Sequence, residues 1–377
     1  MAGANLATPL YGVYASTYAF SSLVLTTVFA TYAVVLVPSL VLFGRVSDRF
    51  GRKPVLLAGL GVACVGLLLF AYAQGTAWLY AARGVQGLAV GMISGAATAA
   101  LVELDPEGNR RRAALFAGLA QAGGSAAGPL LAGALAQWLP EPLRLCFLVG
   151  LGATVAAAAG VVVFFAEKRG SPEPWRIQWP RVPRRIRAPF GRVSLTAATV
   201  WAAVALYLSI VPSYARSILE TDNLFLLAAI AALALVASFF TQIVAQRRQP
   251  SPQLSQAVGL SLLALGLVAL VVAAPVQSLD LLIAGSLVTG AGHGVGFLNA
   301  QQELNEIAPD ERRGEVTSAF IACIYFLVAS AVISTGLLDL TFSLEVSVAT
   351  VALVLVALAL TACVWQCLES SGRARAS

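Results

Sequence analysis

Charge is scarce in this chain. Only 11% of its 377 residues are Asp, Glu, Lys or Arg, against 59% apolar. There is one histidine, and two of the 24 basic residues are lysines. Each shortage excludes something. The five cysteines all fall in apolar stretches. Their odd number and setting argue against a disulfide framework or a zinc site. No nucleophile, base and metal constellation is present, and no phosphate-cradling Gly-rich loop ending in Lys-Ser or Lys-Thr, so an enzyme is not expected and no cofactor is called for. Ten-residue alternating segments are absent, which excludes a transmembrane barrel. The first 18 residues lack a basic region before an apolar core, so they are not a signal peptide.

What is present is length without polarity. Mean hydropathy is +0.83, and apolar runs long enough to cross a hydrocarbon core of ~30 Å recur throughout. The class is an all-α polytopic membrane protein. Eleven spans are expected at about Ser22–Phe43, Val55–Ala73, Ala77–Leu101, Ala113–Leu135, Leu145–Phe165, Val193–Pro212, Asn223–Val244, Ala257–Ala274, Leu279–Asn299, Val316–Leu338 and Leu344–Gln366.

The loops alternate in charge. Arg45, Arg49, Arg52 and Lys53 occupy the first, Arg110 to Arg112 the third, and eight basic residues from Lys168 to Arg192 the fifth. Arg247 and Arg248, Arg312 and Arg313, and Arg373 and Arg375 follow on the same side. The positive-inside rule makes that side cytoplasmic, in a multi-pass cell membrane protein. The C-terminus is then inside and, with eleven spans, the N-terminus outside. A net charge of +6 spread over such loops speaks for a lipid bilayer and against a nucleic-acid partner.

Three regions follow. Residues 1–166 form a first bundle of about five spans, and residues 193–377 a second bundle of six. Between them, residues 167–192, with Pro172, Pro174, Pro180, Pro183 and Pro189, read as an irregular cytoplasmic linker whose Trp175 and Trp179 suit the headgroup level. The two bundles repeat at an offset of 203. Gly87 matches Gly290, Gly91 matches Gly294, Glu103 matches Glu306, Pro106 matches Pro309 and Arg110 matches Arg313. Repeats of this kind build several transporters.

Arg83 stands in an otherwise apolar run, Trp78 to Leu101. A guanidinium keeps its proton at every relevant pH, and near mid-bilayer it costs roughly 2.5–3.5 kcal/mol on insertion scales. It belongs against a partner or on a wet path. His293 lies about 14 residues into its span, roughly 21 Å from that end. It is the one group there with a near-neutral intrinsic pKa, suited to a proton or solute role or to a neutral bond across helices. No Asp or Glu is expected deep in a span.

The loop Gly44-Arg45-Val46-Ser47-Asp48-Arg49-Phe50-Gly51-Arg52-Lys53-Pro54 resembles the G-x-x-x-D-R-x-G-R-[RK] signature of the major facilitator superfamily at every defined position. Gly51 permits a turn with φ > 0, and Asp48 can pair with Arg52. Arg83-Gly84-Val85-Gln86-Gly87 is similar to the family's R-G-x-x-G signature. The helix carrying Gly124, Gly128, Pro129 and Gly133 resembles the signature of drug:proton antiporters, departing at Leu115 and Ala132. Residues Asn5 to Tyr11 look like the exit of a family first helix, most of which is lacking, so 11 spans stand where the family has 12.

The resemblance implies two helix bundles related by a pseudo-two-fold axis, working as a monomer by alternating access. Gly44, Asp48, Arg49, Gly51, Arg52 and Lys53 form its inner gate. Arg83, Gln86, Gln121, His293 and Asn299 are coupling or cavity residues. The implied activity is efflux of small drug-like or amphipathic solutes driven by a proton gradient. The alternatives are uptake of a sugar or organic acid by the same fold, and a truncated membrane protein that does not transport.

Overall fold

The computed structural model describes residues 1–43, 46–105, 107, 110–166, 180–248, 251–309 and 312–376, and these hold helices and no strand. The helices are α1 (Ala2–Asn5), α2 (Tyr11–Tyr18), α3 (Ser22–Phe43), α4 (Val46–Phe50), α5 (Arg52–Ala71), α6 (Thr76–Leu104), α7 (Arg110–Trp138), α8 (Pro142–Phe164), α9 (Arg187–Leu219), α10 (Leu224–Arg248), α11 (Pro252–Val276), α12 (Leu279–Ile307), α13 (Arg313–Leu338) and α14 (Leu344–Ala376). Ten are long and apolar enough to cross a membrane. The remaining long helix, α7, has 29 residues and a sequence rich in Gly, Ser and Gln. All eleven expected spans therefore fall on helices.

The segment before α3 is a broken helix. Its backbone stays right-handed through Leu6 and Ala7 into a 3-10 turn at Thr8–Leu10 and on into α2. Pro9 explains the break, since it has no N–H for the Asn5 carbonyl and its ring crowds the preceding turn. Leu6, Ala7, Leu10, Tyr11 and Tyr14 are nevertheless buried. Tyr18 donates its hydroxyl to the Ala73 carbonyl at 2.6 Å, just past the end of α5. This short, mixed segment thus belongs to a core rather than to a loop.

The chain forms two compact units: Met1–Phe20 with Val28–Pro180, and Ser21–Thr27 with Arg181–Ser377. In the first, Gly87 and Gly91 on α6 leave no room for a Cβ. Such an atom at Gly87 would lie 2.5 Å from the Tyr32 carbonyl oxygen and 3.1 Å from the Leu36 nitrogen. Small residues at a spacing of four are how helices approach without water to drive them. Val55, Leu56, Ala96, Ala100 and Phe165 make a core between α5, α6 and the exit of α8.

In the second unit α12 is the densest element. Its Gly292 faces the Gly259 carbonyl and the Leu263 nitrogen of α11, each 2.5 Å from where a Cβ would sit. Its Gly290 and Gly294 face the backbone of α10 at Ala234 and Ser238. Both sides of one helix are therefore backbone-to-backbone contacts.

The internal repeat is visible in helix bounds. Helix α6 runs from Thr76 to Leu104 and α12 from Leu279 to Ile307, 29 residues each, at the offset of 203 residues seen in sequence. Helices α7 and α13 begin at Arg110 and Arg313, the same offset.

One boundary differs from expectation. Residues 167–179 lie outside the described residues, but a 3-10 turn at Arg184–Ile186 leads directly into α9 at Arg187. The end of the stretch read as an irregular linker is helical. The cause is burial: Phe190 is buried and Arg192 is 0% exposed, so these residues belong to the bundle.

The glycine contacts predict that Gly292→Val is destabilised by roughly 1–3 kcal/mol or more through overpacking. Gly61→Ala and Gly152→Ala, where a Cβ meets nothing within 4 Å, should leave the thermal unfolding midpoint in detergent unchanged. Equal midpoints for Gly292→Val and wild type would remove the packing explanation.

Candidate functional site

The residues singled out in sequence fall into separate clusters, each built by local rules. Gly44 and the side chain of Asp48 lie outside the described residues. Arg49 is exposed, with its guanidinium 5.4 Å from the Phe50 ring centre. Gly51 adopts φ 93°, as its place before α5 requires. Arg52 donates through Nε to Glu103 of α6 at 3.1 Å and through Nη1 to the Ser47 hydroxyl at 2.6 Å. Lys53 donates to the carbonyls of Val162 and Phe165 at 2.8 and 3.2 Å. Those oxygens belong to the last turn and exit of α8, where a cation complements the helix dipole. Arg52 and Lys53 thus bind one carboxylate and one neighbouring helix end.

Arg83 sits seven residues into α6, roughly 10 Å from that end, and is 2% exposed. Its Nη1 donates to the Ala4 carbonyl at 2.7 Å and to Gln86 Oε1 at 3.1 Å. Gln86 in turn donates to the Gly3 carbonyl at 3.1 Å. Gly3 and Ala4 lie in the last turn of α1, and terminal carbonyls of a helix have no intrahelical donor. The end of α1 at Asn5 therefore leaves the acceptors that Arg83 and Gln86 fill. The rings of Tyr11, Phe29 and Tyr32 stand 5.3, 5.3 and 5.8 Å from the guanidinium carbon, close enough for cation–π attraction. Among the described residues no carboxylate pairs with it.

The antiporter-like helix meets the same element. A Cβ on Gly124 of α7 would lie 3.0 Å from Met1 Cβ and 3.3 Å from the Ala2 nitrogen. On Gly128 it would lie 2.5 Å from the Ala2 carbonyl oxygen and 3.1 Å from Asn5 Cβ. Pro129 and Gly133 are buried on that helix and Gln121 is half-buried. Two signatures recognised separately in sequence, on α6 and α7, hold one four-residue helix from two sides.

In the second unit His293 is 1% exposed. Gly290 and Gly294 flank it and bring α10 close enough for Ser238 Oγ to reach its Nδ1 at 2.8 Å. Gln242 donates to the same hydroxyl at 3.2 Å. The imidazole stacks on Phe297 at 5.7 Å and meets Trp201 of α9 edge to face at 4.7 Å. Its Nε2 has no hydrogen-bond partner. Asn299, six residues on, points elsewhere around α12 and donates to the Val295 carbonyl of its own helix at 2.8 Å.

The most extensive polar cluster was not anticipated. Glu303 is 1% exposed, one turn of α12 beyond the span expected to end at Asn299. It accepts from Arg192 Nη2 at 2.5 Å, Gln253 at 2.6 Å and Gln256 at 2.6 Å. Arg192 Nη1 also donates to Gln366 of α14. Gln366 donates to Gln256 at 2.7 Å and Thr196 at 3.1 Å. Four helices, α9, α11, α12 and α14, are tied at one point. The expectation that no acid is deep among the spans needs this correction: a carboxylate is fully buried, close to the end of its helix. Glu306, which the repeat aligned with Glu103, is exposed instead.

A helical membrane bundle whose two units repeat one another is an architecture of secondary transporters. A model of the Major Facilitator Superfamily matches residues 1–334, and the chain belongs to that family. Among curated relatives, a tetracycline resistance protein of class H from Pasteurella multocida is 36% identical over 112 residues, 30% of this chain and 27% of that protein. The aligned stretch spans about a quarter of that relative's length. The structure superposes on a POT family transporter solved with 5-aminolevulinic acid at a TM-score of 0.79 and 12% identity, covering 97% of this chain and 92% of that one. It superposes on the human organic anion transporter TETRAN at 0.70 and 17% identity, over 91% and 84%.

The buried cluster carries a stability prediction. Glu303→Ala strands a buried guanidinium and should cost about 3–5 kcal/mol, lowering the unfolding midpoint markedly. The pair Arg192→Met with Glu303→Leu should recover much of that loss. A single mutant as stable as wild type would show that the pair is not what holds these four helix ends.

Proposed function

We propose that this protein exports small drug-like or amphipathic solutes in exchange for protons, by alternating access across the cell membrane. The observation that carries this reading is the convergence of Arg83 and Gln86 on α6 with Gly124 and Gly128 on α7 upon the helix α1. A permanent charge is held there by two carbonyls and three aromatic faces rather than by a fixed counter-ion. Such a charge is free to shift its contacts when a helix moves, at a cost of hydrogen bonds worth roughly 0.5–3 kcal/mol each.

The antiporter-like pattern of α7 and the tetracycline-resistance relative favour export over uptake, and both point to amphipathic solutes. The gate residues Asp48, Arg49, Arg52 and Lys53 belong to the same reading. Arg52 and Lys53 bind a carboxylate and a helix end in this arrangement, and the second one requires them to let go.

Everted vesicles loaded with a pH-sensitive dye test the proposal with tetracycline and ethidium as solutes. Wild type should take up solute under an imposed inward-acid gradient and release protons as it does so. Arg83→Ala and Asp48→Asn should each abolish this while inserting normally. Unchanged transport in either variant removes that residue from the mechanism. Solute movement without any proton movement defeats the exchange itself.

A further inference from the structure

His293, Trp201 and Ser238 lie together. Ser238 Oγ receives an amide N–H from Gln242 at 3.2 Å and shares a 2.8 Å hydrogen bond with Nδ1 of the imidazole. A hydroxyl that accepts from the amide can still donate to Nδ1 or accept from it; when it donates, the histidine carries its single hydrogen at Nε2. Among the described residues Nε2 has no oxygen or nitrogen partner. What stands beside the ring is the indole of Trp201, edge to face at 4.7 Å, with Phe297 stacked behind at 5.7 Å. An aromatic face accepts an N–H weakly and a full cation more strongly.

The surroundings are otherwise free of charge. Helix α10 presents Ser238 and Gln242, α9 presents Trp201, and α11 presents the backbone of Gly259 and Leu263 to the neighbouring turn. On α12 the nearest charged group is Glu303, ten residues and roughly 15 Å along the helix, and it is already joined to Arg192. Among the described residues no carboxylate faces the imidazole.

We propose that His293 is the proton-carrying group of this transporter, with Trp201 as the face that receives the imidazolium and Ser238 as the hydroxyl that sets its tautomer. This rests on the proton-exchange reading above. The step is a simple protonation. A hydronium gives its proton to the Nδ1 lone pair and leaves as water, a new N–H bond forms, and no other covalent bond changes. The Ser238 hydroxyl turns from donor to acceptor and its hydrogen goes to a carbonyl one turn earlier in α10, as other serines of this chain already do. The indole plane stands at 89° to the imidazole with ring centres 4.7 Å apart, within the range of cation–π attraction for the imidazolium. Trp201 and Ser238 are positioning residues and His293 binds the proton. Because the imidazole is 1% exposed, the proton enters only when its neighbours part, which couples uptake to movement of the bundle.

Indole fluorescence tests this directly, since a protonated imidazole against tryptophan quenches its emission. The full chain in lipid nanodiscs is titrated from about pH 8 to about pH 5, the range a histidine serves. Wild type should show a reversible quenching step that His293→Gln and Trp201→Phe both lose, and that Ser238→Ala keeps with a moved midpoint. In proteoliposomes His293→Gln should lose gradient-driven exchange of ethidium while keeping gradient-free counterflow. A wild-type step that persists in His293→Gln, or exchange that survives that change, overturns the proposal. Should His293→Gln fail to fold, gradient-driven exchange of ethidium by Trp201→Phe decides: it should fall, and exchange equal to wild type overturns the proposal. Wild type that moves solute without protons defeats the exchange reading, whatever the fluorescence does.

Discussion

Arg192 and Glu303 approach to 2.5 Å with both side chains withdrawn from solvent. Such a pair is a burden unless every remaining donor and acceptor is met. Two glutamine amides complete the carboxylate, and Gln366 completes a second nitrogen of the guanidinium. Satisfying that one ion pair fixes the phase of four helices at once. Helix α12 must turn Glu303 inward, α11 must offer Gln253 and Gln256 one turn apart, and α9 must begin early enough to bring Arg192 with it. The glycine contacts above this point then follow, because α12 has no freedom left to rotate.

The first unit solves a similar problem differently. Arg83 also cannot discharge, but it binds the Ala4 carbonyl at a helix end, the Gln86 amide oxygen and the faces of three rings. Near the far end of α6, Arg52 and Glu103 form a pair that remains partly exposed, at 17% and 32%. Water competes for such a bond and lowers its worth. One unit thus keeps its ionic bond dry, and the other keeps an equivalent bond wet and cheaper to break. The repeat preserved the helices and let the chemistry diverge.

Much of this was legible beforehand, and the reasons are specific. Apolar length identified every span, because the bilayer sets a minimum. Gly51 was readable because only glycine suits a backbone with φ 93° there. Glu303 was missed because Gln301, Gln302, Glu303, Asn305 and Glu306 look like a loop to any measure of hydropathy. A signal did exist. Gly292, Gly296 and Glu303 follow a spacing of four and seven, so the stripe facing α11 continues to Glu303, one turn past the apolar run. Arg192 was hidden in the same way among the basic residues of a connector. The binding of Arg83 to the end of α1 could not be seen, because it depends on where a helix too short to register as a span comes to its end.

The equal length of α6 and α12 has a consequence of its own. Each residue added to a helix turns everything beyond it by about 100°. On α12 a single inserted residue between His293 and Glu303 would swing the carboxylate away from both glutamines, while a full-turn insertion would carry it past them. The helix therefore acts as a ruler whose graduations are fixed in angle as well as distance. Sequence drift within it is confined to exchange of one side chain for another, and gains or losses of residues are expected only in the connections, where α6 and α12 end on extended backbone at Asp105 and Ala308.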